Sequence, residues 1–435
     1  MSEMLDASLD DFAAELVAKA LRAGAGAAQA QTTTTRHFEM QFDNRGVDLA
    51  RSTEDGLSSL TVFLDGKRGG ATLNGRTLDA VEAAISAALA AASAGVADDA
   101  NDVATAESLT ASRHGPDAPD RAAMATGIDA FLDRVAAEHP LVRTRDCLQS
   151  FDDVDAAFAN SRGLRQRERR SRYGFSAMFM AKDGQKTTSI NFLGLSAYSP
   201  FDDPFSCSAL DRLLQETTRS LDKKPAPEKF EGDVIITPEC LSSLLGSIIL
   251  ALSGAALFAG TTPYKESKGQ AIASPLFSLS NLPRDSDAPG GSDFDGYGVP
   301  TQNLEVIENG VLKDYLVDFF FSRKLRLPQT AGATHFVVAP GATPLSEIIA
   351  STKRGILFSR FSGGNPTSDL DFTGIAKNSF YVEDGEIRYA LEETMVSGNF
   401  QELLKNIHAV SREAVDFGWA RYPFLAASGV TISSK

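Results

Sequence analysis

The stretch LEVIENGVLKDYL, residues 304–316, decides the reading of this chain. Apolar and polar residues alternate over 304–307 and again over 311–316, the period of a half-buried strand. Between them lies Asn309-Gly310, a pair that accepts the positive φ angles of a tight two-residue turn. The segment therefore reads as a β-hairpin, and its surroundings agree. Pro289-Gly290-Gly291, Gly363-Gly364 and Asp384-Gly385 punctuate further short alternating runs. Two helices interrupt them: one opening at Thr343-Pro344, with proline at the first helical position, and ending by Gly355, the other over about 400–407. Residues 230–435 thus read as a mainly β domain with a closed or wrapped, barrel-like sheet.

The N-terminal part differs. Leu9, Phe12, Leu16 and Ala20 fall on one helix face, with Ser8 or Asp6 as cap and Gly24 as stop. Strands follow, including the alternating Leu60, Val62 and Leu64 before the Asp65-Gly66 turn. A second helix carries Leu78, Val81, Ile85 and Leu89. A linker with poorly specified helix spans 91–120, and then the plan repeats. A helix with Ile128, Leu132 and Val135 ends before Pro140, strands run over 141–148 and 173–181, and a helix over 210–221 closes the block. Helices against antiparallel strands give an α+β class. The expected domains are an N-terminal α/β region, 1–222, with a sub-boundary in 91–120, and the β-rich 230–435. The polar, proline-bearing 222–229 separates them.

A chain of 435 residues is too long for one small core. Net charge is −15 and the pI about 4.9, which argues against nucleic acid as a partner. The arginines at 162, 165, 167, 169, 170 and 172 are read as the solvated face of a strand. The acidic N-terminus has no apolar core of a secretory signal, and no run approaches the ~18 apolar residues of a spanning helix. The most apolar run, 241–259, is broken by serine and glycine and reads as a buried helix. Cys147, Cys207 and Cys240 are far apart, as in a reducing compartment, so a cytoplasmic location without membrane contact is expected.

Chemistry is hard to find in the residues themselves. The five histidines are His37, His114, His139, His335 and His408, and no two have the one-turn spacing of a helix-borne zinc site. His335, in the strand-like THFVV, lacks a sequence partner. Neither a Walker loop nor GxGxxG occurs, and the acidic residues number 57, so acid pairs carry little weight. Composition and spacing yield no function.

Five motifs do carry a resemblance: KGQAIASP (268–275), FDGYGVPT (294–301), IENGVLKDYLVD (307–318), FSGGNPTSDLDF (361–372) and VSGNFQELLKNI (396–407), with STEDGLSSLTVFLDGKRGGAT (52–72) as a looser match. In order and spacing they resemble the TldD/PmbA family. That resemblance implies an α/β N-terminal part and a barrel-like C-terminal domain. It also implies two branches, a TldD branch bearing HExxxH and a later cysteine for zinc, and a PmbA/TldE branch without them that pairs with it. Here the corresponding helix reads SLLGSIILALSG (243–254), which puts Leu245 and Leu250 at the histidine positions and Gly246 at the glutamate. GWARYPF (418–424) has no cysteine.

The chain therefore resembles the metal-free branch. The expectations are no catalytic residue, cofactor or metal in this chain, and zinc in a TldD-like HExxxH partner subunit. The pair would form a dimer, hetero in preference to homo, that trims unfolded or leader peptides. Asp295, Thr301 and His335 are the expected peptide or partner contacts, and KLRLPQTAGATH (324–335) departs from the family pattern and could form a contact loop. Two other readings stay open: a homo-oligomeric binding or regulatory protein, and a hydrolase with a non-zinc site.

Overall fold

The computed structural model describes residues 8–330, 332–364 and 366–434. Helix α1, Leu9–Arg22, is capped by the Ser8 hydroxyl, which accepts from the Asp11 N–H; Asp6 lies outside the described residues. Strands β1 (Ala27–Asp43), β2 (Gly46–Leu64) and β3 (Lys67–Leu73) follow, then helix α2 (Leu78–Ala94). After the short β4 (Ser112–His114) come α3 (Arg121–Glu138), β5 (Val142–Asn160), β6 (Arg165–Asp183), β7 (Lys186–Thr187), β8 (Asn191–Ala197) and α4 (Ser208–Arg219). Six strands lie in the order β3-β2-β1-β5-β6-β4, with β7 and β8 also on β6.

The repeated plan is visible as two long hairpins, β1-β2 and β5-β6, joined back to back. Strands β1 and β5 pair antiparallel along their length, from Gln29 opposite Asn160 to Phe42 opposite Cys147. Each hairpin carries a further strand on its outer side: β3 covers residues 58–64 of β2, and β8 covers 173–179 of β6. The helices bury their apolar faces on this sheet. Phe12, Leu16, Val81 and Ile85 pack over Ala28, Ala30, Leu60 and Val62, and each fully buried large side chain contributes roughly 1.5–3 kcal/mol.

Strands β5 and β6 are longer than the alternation suggests. Their extra length carries a cross-strand charge ladder: Arg169 bonds Asp153, and Arg167 bonds Asp155 and Asp10. Hence Arg167 and Arg169 are half-exposed as expected, but Arg170, on the opposite face, is buried.

The second sheet is built around Phe230–Ile236. It pairs antiparallel with Ala420–Ser434 and parallel with Arg354–Phe358. Its further strands include Leu279–Asn281, Leu304–Glu308, Val311–Leu312 and Phe336–Val338. The hairpin at 304–316 forms, with Asn309 and Gly310 both at positive φ and Glu308 opposite Val311. Its second strand stops at Leu312, however. Leu316 is diverted to the end of a helix, donating to the Leu252 carbonyl and accepting from the Gly254 N–H.

The apolar run 241–259 is two helices, α5 (Pro238–Ala251) and α6 (Gly254–Ala259). Thr237 caps the first through the Cys240 N–H and Ser253 caps the second through Ala256, so serine here restarts a helix. A further helix, α7 (Phe319–Leu325), follows the hairpin. The helix at Thr343-Pro344 is Leu345–Ser351, with Pro344 in the capping position, and residues 354–358 leave it for the central sheet. One apolar core runs from Phe42, Phe131 and Phe175 through Leu213, Val234 and Leu244 to Phe400 and Ile432, continuous across residues 222–229. No described helix is long and apolar enough to cross a membrane.

Candidate functional site

Helix α5 is the place to look, because the resemblance puts metal chemistry there. Only one face is buried, carrying Cys240, Leu241, Leu244, Leu245, Ile248 and Ala251. The expected buried helix also has an open side: Ser243, Gly246 and Leu250 face outward, Leu250 with 66% of its surface exposed. Leu245 is inside the core and Leu250 outside it, so the two do not converge on one point. Neither they nor Gly246 offers a lone pair, and the sequence has no histidine between His139 and His335. The residues here do not fit a zinc ion.

Beside the outward face of α5 lies a groove of about 570 Å³. Its lining includes Glu239, Ser242 and Ser243 of α5, Phe192 and Gly194 of β8, and Phe417 and Trp419. Trp419 stacks on Phe417 at 5.3 Å and is 40% exposed; Phe192 on β8 is 52% exposed. The backbone of β8 is partly spoken for. The Ile190 carbonyl accepts from Arg360 Nη1 (2.8 Å) and Asn378 Nδ2 (3.2 Å), and the Arg360 guanidinium lies 5.0 Å from the Phe192 ring. The Phe192 N–H donates to its neighbour Asn191 Oδ1, and the Ser196 N–H to the Phe417 carbonyl. Residues 190, 192 and 196 therefore turn their backbone away from β6. By the two-residue period Gly194 does the same and presents its N–H and C=O to the groove. A side chain at position 194 would meet nothing within 4 Å.

Under the groove sits a charged triad. Arg212 on α4 donates to Glu239 (2.6 Å) and to both oxygens of Glu216 (3.0 and 3.1 Å). Burial pushes the Glu216 carboxyl up despite the guanidinium beside it. The triad fixes the start of α5 against α4.

The residues expected to make contacts lie elsewhere. Asp295 is held in its own turn: its carboxylate accepts from the Tyr297 N–H (2.9 Å), the Val299 N–H (3.0 Å) and Gln329 Nε2 (3.1 Å). Burial raises its pKa against those hydrogen bonds. Thr301, in the same loop, is 2% exposed and donates to the Ser292 carbonyl. This loop rests on the N-terminal sheet, where Gln166 Nε2 donates to the Gly298 carbonyl and Gln29 Nε2 to that of Gly296. His335 is 4% exposed, its Nδ1 has no partner, and burial lowers its pKa. None of the three lines the groove. Nor does the 324–335 loop, which is tied by Gln329 to Asp295 and by Thr330 to Tyr315 and Val317; Ala331 lies outside the described residues.

Two other constellations bear on alternative chemistry. Ser112, His114 and Asp293 meet, but serine and histidine both bond the same Asp293 oxygen, so the hydroxyl donates to the carboxylate and not to the imidazole. Glu138, His139 and Asp211 are, among the described residues, the one group with metal-ligand spacing. Arg134 already bonds Glu138 (3.1 Å) and lies 3.9 Å from Asp211, so a cation there would face an arginine. Burial pushes the Cys147 thiol up to about 11 and raises those of Cys207 and Cys240, which favours the protonated form of each.

Sequence reading missed the groove residues Ile190, Phe192, Gly194, Arg360 and Trp419. A usable signal existed in Ile190 and Phe192, apolar at the outward positions of SINFLGL, and in the one tryptophan of the chain.

Known proteins bear on this geometry. Residues 229–434 match the PmbA/TldA metallopeptidase C-terminal domain. The chain is 24% identical to a Haemophilus influenzae protein named metalloprotease PmbA homolog, over 92% of this chain and 90% of that one. It is likewise 24% identical to metalloprotease PmbA of Escherichia coli, over 90% and 88%. Among solved structures, TldE from Thermococcus kodakarensis superposes with a TM-score of 0.82 at 18% identity, covering 97% of this chain and all of that one, a likeness of fold. The likeness to the PmbA/TldA metallopeptidase C-terminal domain thus covers residues 229–434, and the likeness to the named PmbA proteins runs through most of the chain.

Proposed function

We propose that this chain is the metal-free, TldE-like subunit of a TldD-type zinc metalloprotease, holding an extended, unfolded peptide for a partner that bears HExxxH. The observation that carries this reading is the groove between α5 and β8. It is lined both by the helix whose expected zinc positions are filled by Leu245, Gly246 and Leu250 and by a strand with open backbone at Gly194. A peptide paired on that edge would be gripped through its main chain, which tolerates any sequence, while Phe192 and Trp419 would take its side chains. Folded proteins cannot present a free strand there, so selection for unfolded segments follows from shape. Zinc and the hydrolytic step would then belong to the partner, in a heterodimer.

The test has two arms. Gentle purification of the tagged chain from its host should bring down, near stoichiometrically, a protein carrying HExxxH; recovery of the chain alone would sink the subunit reading. Titration with an unfolded peptide should blue-shift the emission of Trp419, the one tryptophan, and Phe192→Ala should weaken that response. Cleavage of the peptide by the isolated chain in the presence of a chelator would favour an independent hydrolase instead.

A further inference from the structure

Asparagine followed by glycine occurs twice, at Asn74-Gly75 and Asn309-Gly310, and the tertiary structure sets the two pairs apart. Glycine is at positive φ in both, 82° and 80°, and both asparagines are exposed. Such a pair is reactive because glycine has no side chain to keep its backbone nitrogen from the preceding side-chain amide. The reaction also needs that nitrogen released from any hydrogen bond and its peptide unit free to turn. At residue 310 neither condition is met. The Gly310 N–H donates to the Phe277 carbonyl (2.8 Å), its carbonyl accepts from the Ile272 and Ala273 N–H groups, and the Asn309 N–H donates to Ser278. A methyl group on Gly310 would collide with the carbonyls of Ala273 and Ser274. At residue 75 both conditions are met. Neither Asn74 nor Gly75 has a hydrogen bond among the described residues, and the space beside Gly75 is open to 4 Å.

We propose that Asn74 is a site of spontaneous covalent modification, conversion to aspartate and isoaspartate, and that Asn309 is spared. The Gly75 nitrogen bonds to the Asn74 side-chain carbonyl carbon and gives up its proton. The bond from that carbon to the amide nitrogen breaks, and ammonia leaves. Water then opens the resulting succinimide, so one water is consumed for each ammonia released. Opening at the side-chain carbonyl gives aspartate. Opening at the backbone carbonyl routes the main chain through the side chain and lengthens it by one methylene. The turn is fixed at both ends. It joins Leu73, 6% exposed in the core shared with α1 and α2, to Thr77, whose hydroxyl caps α2 by accepting from the Ala80 N–H. Between them the Arg76 guanidinium lies 5.2 Å from the Phe12 ring. The isoaspartyl form therefore strains the α2 cap, while the aspartyl form only adds a charge.

The turn is separate from the groove, so this modification and the Trp419 response stand or fall independently. Incubation of the full chain at pH 8.5 in water enriched in heavy oxygen, followed by peptide mapping in a mass spectrometer, tests it. The heavy oxygen marks acid formed during the incubation. In the native chain it should accumulate at residue 74 about tenfold or more faster than at 309, since opening residue 310 breaks at least two hydrogen bonds. In urea the two rates should converge, because only the fold separates the sites. The isoaspartyl fraction, isolated by chromatography, should melt below the unmodified chain, and Asn74→Asp should melt like the unmodified chain. An Asn74 that keeps its amide in the native chain overturns the proposal. So does label at 309 as fast as at 74, a ratio unchanged by urea, or an isoaspartyl fraction as stable as the unmodified chain.

Discussion

Replacing Arg212 with methionine isolates the triad that seats α5. The guanidinium holds Glu239 at 2.6 Å and Glu216 at 3.0 Å, and its three side chains are 22%, 14% and 8% exposed. At an effective dielectric of about 20, each carboxylate gains roughly 4 kcal/mol from a cation ~4 Å away. Most of that offsets the desolvation of the three groups. Arg212→Met keeps the volume but leaves two acids close together and partnerless, so a loss of about 3–5 kcal/mol at pH 7.5 is expected. Glu216 already has its pKa raised by burial. Without the arginine it binds a proton more readily still, so the folded state gains protons that the unfolded state lacks. The deficit must therefore shrink as pH falls. Urea unfolding followed by circular dichroism at pH 7.5 and pH 5 measures both, and adding Glu216→Gln and Glu239→Gln should restore most of the stability. A loss below about 1 kcal/mol, or one equal at the two pH values, would refute the reasoning.

Three further outcomes follow from the geometry. His37 lies 2.7 Å from Asp152 and 3.0 Å from Glu39; burial works against its charge, but the two acids outweigh it and raise its pKa. Its stabilisation is complete below the unfolded value near 6.5 and is lost as pH rises through the folded one. His37→Gln should therefore cost more at pH 5.5 than at pH 8.5, and equal melting shifts would contradict this. Gly69 lets α2 sit on β3: an added methyl would collide with backbone atoms of Ala88 and Ala92, whereas at Gly70 it would lie 3.6 Å from the Leu60 carbonyl. Gly69→Ala should cost about 1–3 kcal/mol in urea unfolding and Gly70→Ala much less, the reverse order being incompatible with the packing. Finally, the triple change Leu245→His, Gly246→Glu and Leu250→His should not create a zinc site, since position 245 is buried and 250 exposed. Stoichiometric zinc in equilibrium dialysis would show that placement to be wrong.

Local order was legible wherever neighbours in sequence settle it. The α1 cap at Ser8, the periodic faces of α1 and α2, and the Asn309-Gly310 turn needed only side-chain spacing and the φ angles those residues accept. The repeat of helix, hairpin and helix also showed in the pattern, as did the absence of zinc donors in 243–254. What failed locally failed for a reason: residues 165–172 of β6 have no apolar period and are held to β5 by arginine-aspartate pairs, and Leu316 leaves its hairpin because the Leu252 and Gly254 backbone claims it.

The site is a different matter. Asp295 and Thr301 stand out in a motif, yet their hydrogen bonds are spent inside a turn and against Ser292, which no spacing rule reveals. The groove joins Phe192, Glu239, Arg360 and Trp419, which are far apart in sequence. Which backbone groups of β8 face outward depends on where β6 pairs with it, and which half of β2 stays bare depends on how far β3 reaches. The sequence by itself determined the elements and the lack of histidine and glutamate in 243–254, because those follow from residue type. Only the tertiary structure decided which surfaces were left open, because exposure is a property of what packs against a residue.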